Sequence, residues 1–183
     1  MIARLHTDKA TLLDRLRESE ASFVSAASVP DDLAAVCPDA NCWSILQITE
    51  HLTIAERGMA GRFHAGEPNP AEINRAFDET ITHIGRDRSG KRKAPERVRP
   101  TGKFSSEKEA LDEFRKARRE TIAFVEGYPG DLRATRVVHP IAEMDGHQLF
   151  LLIAAHAERH ARQVEQVKAS PAYQAASQQG KAV

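Results

Sequence analysis

Apolar residues recur at steps of three and four along most of this chain, and the alternating runs that make half-buried strands are nearly absent. The pattern predicts four long amphipathic helices. The first spans about Thr7 to Ala27 and gathers Leu5, Leu12, Leu16 and Phe23 on one side. A loop, VPDDLAAVCPDANCW, leads to the second. There Ser44 can cap the helix, Gln47 three residues on can cap back, and Trp43 can pack on Ile48. The stripe that follows is Ile45, Ile48, Leu52, Ala55 and Met59, the spacing of a bundle seam.

The third helix opens at Ser106, with Glu109 placed to complete a capping box. It turns Leu111, Phe114, Thr121 and Val125 inward and stops at Gly127 and Pro129. The fourth opens at Asp145, with Gln148 as its reciprocal cap and Met144 able to staple onto Leu149, and continues to about Lys168. Between the second and third helices lies a long connection. It holds a short helix opened by Asn69 and Pro70, with Ile73, Phe77, Ile81 and Ile84 inward. Next comes RDRSGKRKAPERVRP, basic and turn-rich. No aromatic interleaves its charges, so it reads as a solvated connector rather than a nucleic-acid contact.

These elements predict an all-α four-helix bundle over residues 1–168, followed by a flexible polar tail over 169–183. The long connection can carry the chain back along the bundle, so the second and third helices need not be antiparallel. With 183 residues and 41% hydrophobic content, one domain can bury a sizeable core. Twenty-six basic residues balance 26 acidic ones, which removes any bulk attraction to nucleic acid or anionic membrane. Aromatics at 5% are too few for a base-stacking surface. No apolar run is long enough to span a bilayer, and the start has charges among its apolar positions, unlike a signal peptide. Cys37 and Cys42 form no CxxC pair and are expected to be reduced thiols in a cytoplasmic protein.

The fourth helix carries the candidate chemistry. Its inward stripe reads Leu149, Ile153, His156, His160, Val164, Val167, so two histidines stand where leucines are expected. Four residues apart, they lie about 40° apart around the axis and about 6 Å along it, which lets both imidazoles reach one ion. An unpaired buried polar group costs about 1–3 kcal/mol. A tightly held divalent ion returns on the order of 10 kcal/mol. Two readings fit: a metal pair, or two histidines hydrogen-bonded in the core or lining a polar cavity. A third ligand decides between them. His51, in ITEHLTIAERGM, flanks the seam of the second helix and reaches a similar height if the two helices run antiparallel. Three histidines with an open position describe a catalytic metal site. His6, His64, His83, His139 and His147 read as surface or loop residues, with His139 placed to reach a site mouth. HAERH is not the zincin motif. Ala157 stands where the general base belongs, and Glu158, about 200° around from His156, faces away from the ion.

Three segments together, WSILQITEHLTIAER, RKAPERVRPTGKFSS and HPIAEMDGHQLFLLIAAHAERHARQVEQV, resemble the DinB-like (DinB/YfiT) superfamily of metal-dependent enzymes, over roughly Leu12 to Val167. That family takes one histidine from the second helix and an HxxxH pair from the fourth, which map onto His51, His156 and His160. The resemblance implies an up-down-down-up bundle, a divalent metal such as zinc or nickel, and a homodimer. It also implies metal-dependent transfer of low-molecular-weight thiols, related isomerisation, or hydrolysis. Related sequences often carry a glycine after HP, where this chain has IAE.

The first functional expectation is an enzyme that transfers a low-molecular-weight thiol to an electrophilic small molecule. Gln163, continuing the inner side beyond His160, is the candidate for orienting the nucleophile. Glu50 or Glu56 are candidates for orienting a ligating histidine, with a solvent-facing place the plainer reading of both. The alternatives are a hydrolase using metal-bound water, and a non-catalytic bundle that binds a ligand or partner.

Overall fold

In the computed structural model, residues 2–69, 74–90 and 93–179 are described, with side chains from residue 8 onward. The four expected long helices are present as α1 (Ile2–Ala27), α3 (Ile45–His64), α5 (Glu107–Gly127) and α6 (Gly146–Lys168). Shorter helices are α2 (Asp31–Ala34), α4 (Ala76–Arg86) and α7 (Pro171–Gln179). The α1 and α3 helices each pack chiefly against α5 and α6, so α1 lies diagonal to α3. The crossover joins the neighbouring α3 and α5, as the up-down-down-up bundle requires.

The apolar stripes are buried as their spacing predicts. Leu12, Leu16 and Phe23 of α1, Ile45, Ile48 and Leu52 of α3, and Phe114 and Val125 of α5 meet Leu149, Ile153 and Val164 of α6. Leu5 and Ile73 lie outside the residues whose side chains are described, and Pro70 outside the described residues. The caps explain where the helices start. Ser44 and Gln47 form a reciprocal box on α3, and Asp145 and Gln148 form one on α6. The box expected at Ser106 is only half made. Ser106 Oγ accepts from Glu109 N, but the Glu109 carboxylate turns back to the backbone and hydroxyl of Ser105, one residue earlier.

Four expectations need correction. Strands are present: β1 (Glu67–Pro68), β2 (Thr135–Val138) and β3 (Glu143–Asp145) form a small antiparallel sheet in the order β1-β2-β3. Its strands are too short to show alternation. The crossover helix begins at Ala76, not at Asn69, whose backbone N–H instead bonds Ala134 and continues the sheet edge. The tail is not frayed over Pro171–Gln179. It forms α7 because Tyr173 is buried against the cluster holding Val164 and Val167. His147 is buried rather than superficial, at 7% exposure. Burial, and then the nearby Arg133, push its pKa down.

Two buried arginines tie the helices together. Arg118 of α5 is fully buried and donates to both carboxylate oxygens of Glu56 on α3, at 2.7 and 2.8 Å. It also reaches Leu16 O and Ser19 Oγ of α1. Arg133 joins Asp78 of α4 to the α6 cap Asp145. Close helix contact completes the frame, because Gly85 of α4 leaves room for Ala155 of α6.

Replacing Arg118 with Met should cost about 3–5 kcal/mol, since it leaves the Glu56 carboxylate buried without its partner. Urea denaturation of the variant checks this. A midpoint within error of the parent would show that the pair is not the tie between α1, α3 and α5.

Candidate metal centre

His51 of α3 and His156 and His160 of α6 face one another inside the bundle. One ring nitrogen of each lies within 4.8 Å of the others. Ring centroids are 5.5 Å apart for His51 and His156, 4.8 Å for His51 and His160, and 4.4 Å for His156 and His160. His51 and His160 are buried, and His156 is partly exposed.

The hydrogen bonds behind the rings fix which nitrogen carries the proton. His51 Nδ1 stands 2.6 Å from Val98 O, which can only accept, so Nδ1 donates. His160 Nδ1 stands 2.8 Å from Gln163 Oε1. That oxygen also accepts from Arg88 Nη1 at 3.3 Å, so here too Nδ1 is the donor. Both Nε2 atoms therefore carry lone pairs. His160 Nε2 meets His156 Nε2 at 3.0 Å, while the buried His156 Nδ1 has no hydrogen-bond partner.

That arrangement fits a divalent ion. Lone pairs crowd one point, and one imidazole lacks a partner for its rear nitrogen. Tetrahedral bonds of about 2.0–2.1 Å place histidine nitrogens about 3.3 Å apart, a spacing bracketed by the 3.0 Å pair and the 4.8 Å limit of the group. Burial, the first cause in each case, holds all three imidazoles below the ordinary histidine range. His156 is pushed down to about 3, with the His51 and Arg159 charges adding to the effect of burial. Neutral rings keep their lone pairs free for an ion.

The surroundings were only partly foreseen. Gln163 sits behind His160 and bonds its Nδ1. Neither Glu50 nor Glu56 hydrogen-bonds a histidine directly, and neither faces solvent. Glu56 is spent on Arg118, and Glu50 holds the backbone of residues 101–103. Glu158 faces away from the imidazoles as expected, yet it is paired with Arg86 rather than solvated. It lines a cleft of about 680 Å³ that contains none of the three histidines. Trp43, expected only as a staple, also lies against His51 at 4.8 Å. The Val98 carbonyl was missed because a backbone acceptor leaves no mark in sequence. His139 sits on the β2–β3 turn, where burial, Arg62 and Arg97 push it down to about 4. Its charge bears on His156, which places it near the centre without joining the group of three.

A family model of the DinB superfamily matches residues 7–164. The chain belongs to the DinB superfamily. A solved structure of YfiT from Bacillus subtilis, described as a probable metal-dependent hydrolase with an unusual four-helix bundle topology, superimposes with a TM-score of 0.60. The two share 16% identity, and the match covers 87% of this chain and 85% of that one. No curated protein matches. The structural match confirms this DinB-superfamily chain as a four-helix bundle, and no helix among the described residues is long and apolar enough to cross a membrane.

Two outcomes follow from the centre. Replacing His51 with Ala should lower affinity for zinc or nickel by orders of magnitude while circular dichroism stays near that of the parent, because the Ile45–Met59 seam is untouched. Retention of full metal would move the third ligand elsewhere. The metal-free protein should also lose stability as pH falls from 7 towards 4. The unfolded histidines take protons near pH 6.5, while the folded ones resist them, so stability is full above 6.5 and drains below it. In urea melts at a series of pH values, His156→Leu should flatten this dependence. An unchanged slope would mean that His156 is not the buried neutral group.

Proposed function

We propose that this DinB-superfamily chain is a metal-dependent enzyme acting on a small molecule, with His51, His156 and His160 as protein ligands. The carrying observation is the convergence of three imidazoles with no further His, Cys, Asp or Glu in the group among the described residues. Such a set leaves a position open to an exchangeable ligand. Three neutral nitrogen donors suit zinc or nickel. The ion supplies Lewis acidity, which lowers the pKa of a water or thiol bound beside the histidines.

The chain's own residues do the rest. Val98 O and Gln163 Oε1 hold the Nδ1 protons of His51 and His160, so both rings present lone pairs to the ion. Gln163 therefore acts by positioning His160. The positive charge of Arg159 bears on all three imidazoles. Neutral ligands, a dication and a guanidinium make the open position attractive to anions. That favours transfer of an anionic low-molecular-weight thiol, whose thiolate needs no general base once formed. The second reading is hydrolysis by activated water, and the description of YfiT as a probable metal-dependent hydrolase supports it. A cytoplasmic homodimer is part of the same proposal, on the family's pattern.

Cobalt-loaded protein separates the readings. In the thiol reading, mercaptoacetate should perturb the cobalt spectrum at about tenfold lower concentration than 2-mercaptoethanol, and Arg159→Met should erase that preference with the ion still bound. Equal titrations of the two thiols in the parent would remove the anionic-thiol reading, and turnover of an ester or amide without thiol would establish the hydrolase. Glu158→Gln should leave metal content and activity nearly unchanged. A loss of about 100-fold or more, the size expected of a general base, would reverse its placement away from the centre.

A further inference from the structure

The crossover segment that sequence marks as a basic connector is bound to α3 at two adjacent residues. Glu50 is 2% exposed, and its carboxylate is enclosed by the turn at 101–103. Thr101 N and Oγ1 each donate to Oε1 at 2.8 Å, while Gly102 N and Lys103 N donate to Oε2 at 3.0 and 3.3 Å. Three consecutive backbone N–H groups aimed at one anion form a nest. Gly102 makes the turn possible with φ of 78°, a conformation that L side chains rarely adopt. The next residue of α3, His51, holds the same segment a few residues earlier. Its Nδ1 donates to Val98 O, the end of the 3-10 turn Glu96–Val98.

We propose that Glu50 is a positioning residue for the histidine centre, acting through this strap. Four hydrogen bonds to Glu50 fix residues 101–103, and the short span back to Val98 then presents one carbonyl to His51. With that carbonyl in place, the His51 proton stays on Nδ1 and the Nε2 lone pair faces His156 and His160. Without it, the ring can take the other tautomer or rotate. Burial alone raises the Glu50 pKa, but the donors from Thr101, Gly102 and Lys103 outweigh it and hold the acid ionised. A glutamine there presents an amide N–H₂ to backbone N–H groups, and the nest loses one of its two acceptor oxygens. The inference rests on the proposed metal centre for its affinity readout, but the strap itself is read directly at His51.

The test compares wild type, Glu50→Gln, Gly102→Ala and Arg118→Met. Zinc affinity is measured by competition with a chelator, and the imidazole ¹⁵N and N–H resonances of His51 are recorded with and without zinc. Partners that orient a ligating histidine typically matter by about 10–100-fold in affinity. Glu50→Gln and Gly102→Ala should each weaken zinc by that amount and move or broaden the His51 Nδ1–H signal in the metal-free protein. Glu50→Asp should recover part of the loss, since it keeps the charge. Arg118→Met, destabilised elsewhere, should hold zinc within about twofold of wild type. Two results overturn the proposal: Glu50→Gln and Gly102→Ala with wild-type affinity and an unchanged His51 signal, or Arg118→Met weakening zinc as much as they do. If wild type binds no zinc, the metal reading fails, and the His51 resonances still decide whether Glu50 controls the ring.

Discussion

Two imidazoles occupy inward positions on α6, and the bundle must supply each with a partner. That constraint organises the centre. His160 is answered by Gln163 on its own helix, one turn on. His51 is answered from outside its helix, by a carbonyl on the crossover. His156 Nε2 donates to the Nε2 lone pair of His160 in front, and its Nδ1 has no partner behind. Three polar side chains with a partial set of protein partners cost about 1–3 kcal/mol for each unmet group. A bound divalent ion would remove much of that cost, and among the described residues the three histidines are the group placed to hold one.

The frame around the centre uses charge where the centre avoids it. Arg118 with Glu56 and Arg133 with Asp78 and Asp145 are complete pairs, each tying helices that flank the histidines. Glu158 is drawn off to Arg86 on the far side of α6. The carboxylates of α3 and α6 are therefore engaged away from the imidazoles. Neutral ligands would leave the charge of a bound ion undiminished, and so strengthen its Lewis acidity.

The bundle and the pair on α6 were legible in sequence because both are periodic. Capping residues at Ser44 and Asp145, and stripes at steps of three and four, are local signals, and the structure follows them. His51 was legible only conditionally, since it flanks its seam and the reading needed α3 and α6 to run antiparallel, and the family motif then pointed to the same residue. What sequence hid was tertiary and main-chain. The sheet rests on strands of two to four residues, and the His51 partner is a carbonyl. His147 is buried among charged groups brought from distant parts of the chain, Arg133, Asp78, Asp8 and Arg75. The burial of Tyr173 turns a composition that reads as a frayed tail into α7.

The crossover shows how a segment can look dispensable by composition and still matter to chemistry. Most side chains from Lys93 to Pro100 are exposed or half-exposed, which is what a solvated connector predicts. Its backbone, however, is held by two consecutive residues of α3 whose side chains do different work. Glu50 supplies charge and takes four hydrogen bonds, and His51 supplies a single N–H. Because those residues are adjacent, a shift of the strap cannot break one contact and leave the other unaffected. The long connection between α3 and α5 thus does more than reverse the chain. It brings a main-chain acceptor back to α3 at the level of the histidines, which a tight turn at the end of the helix cannot reach.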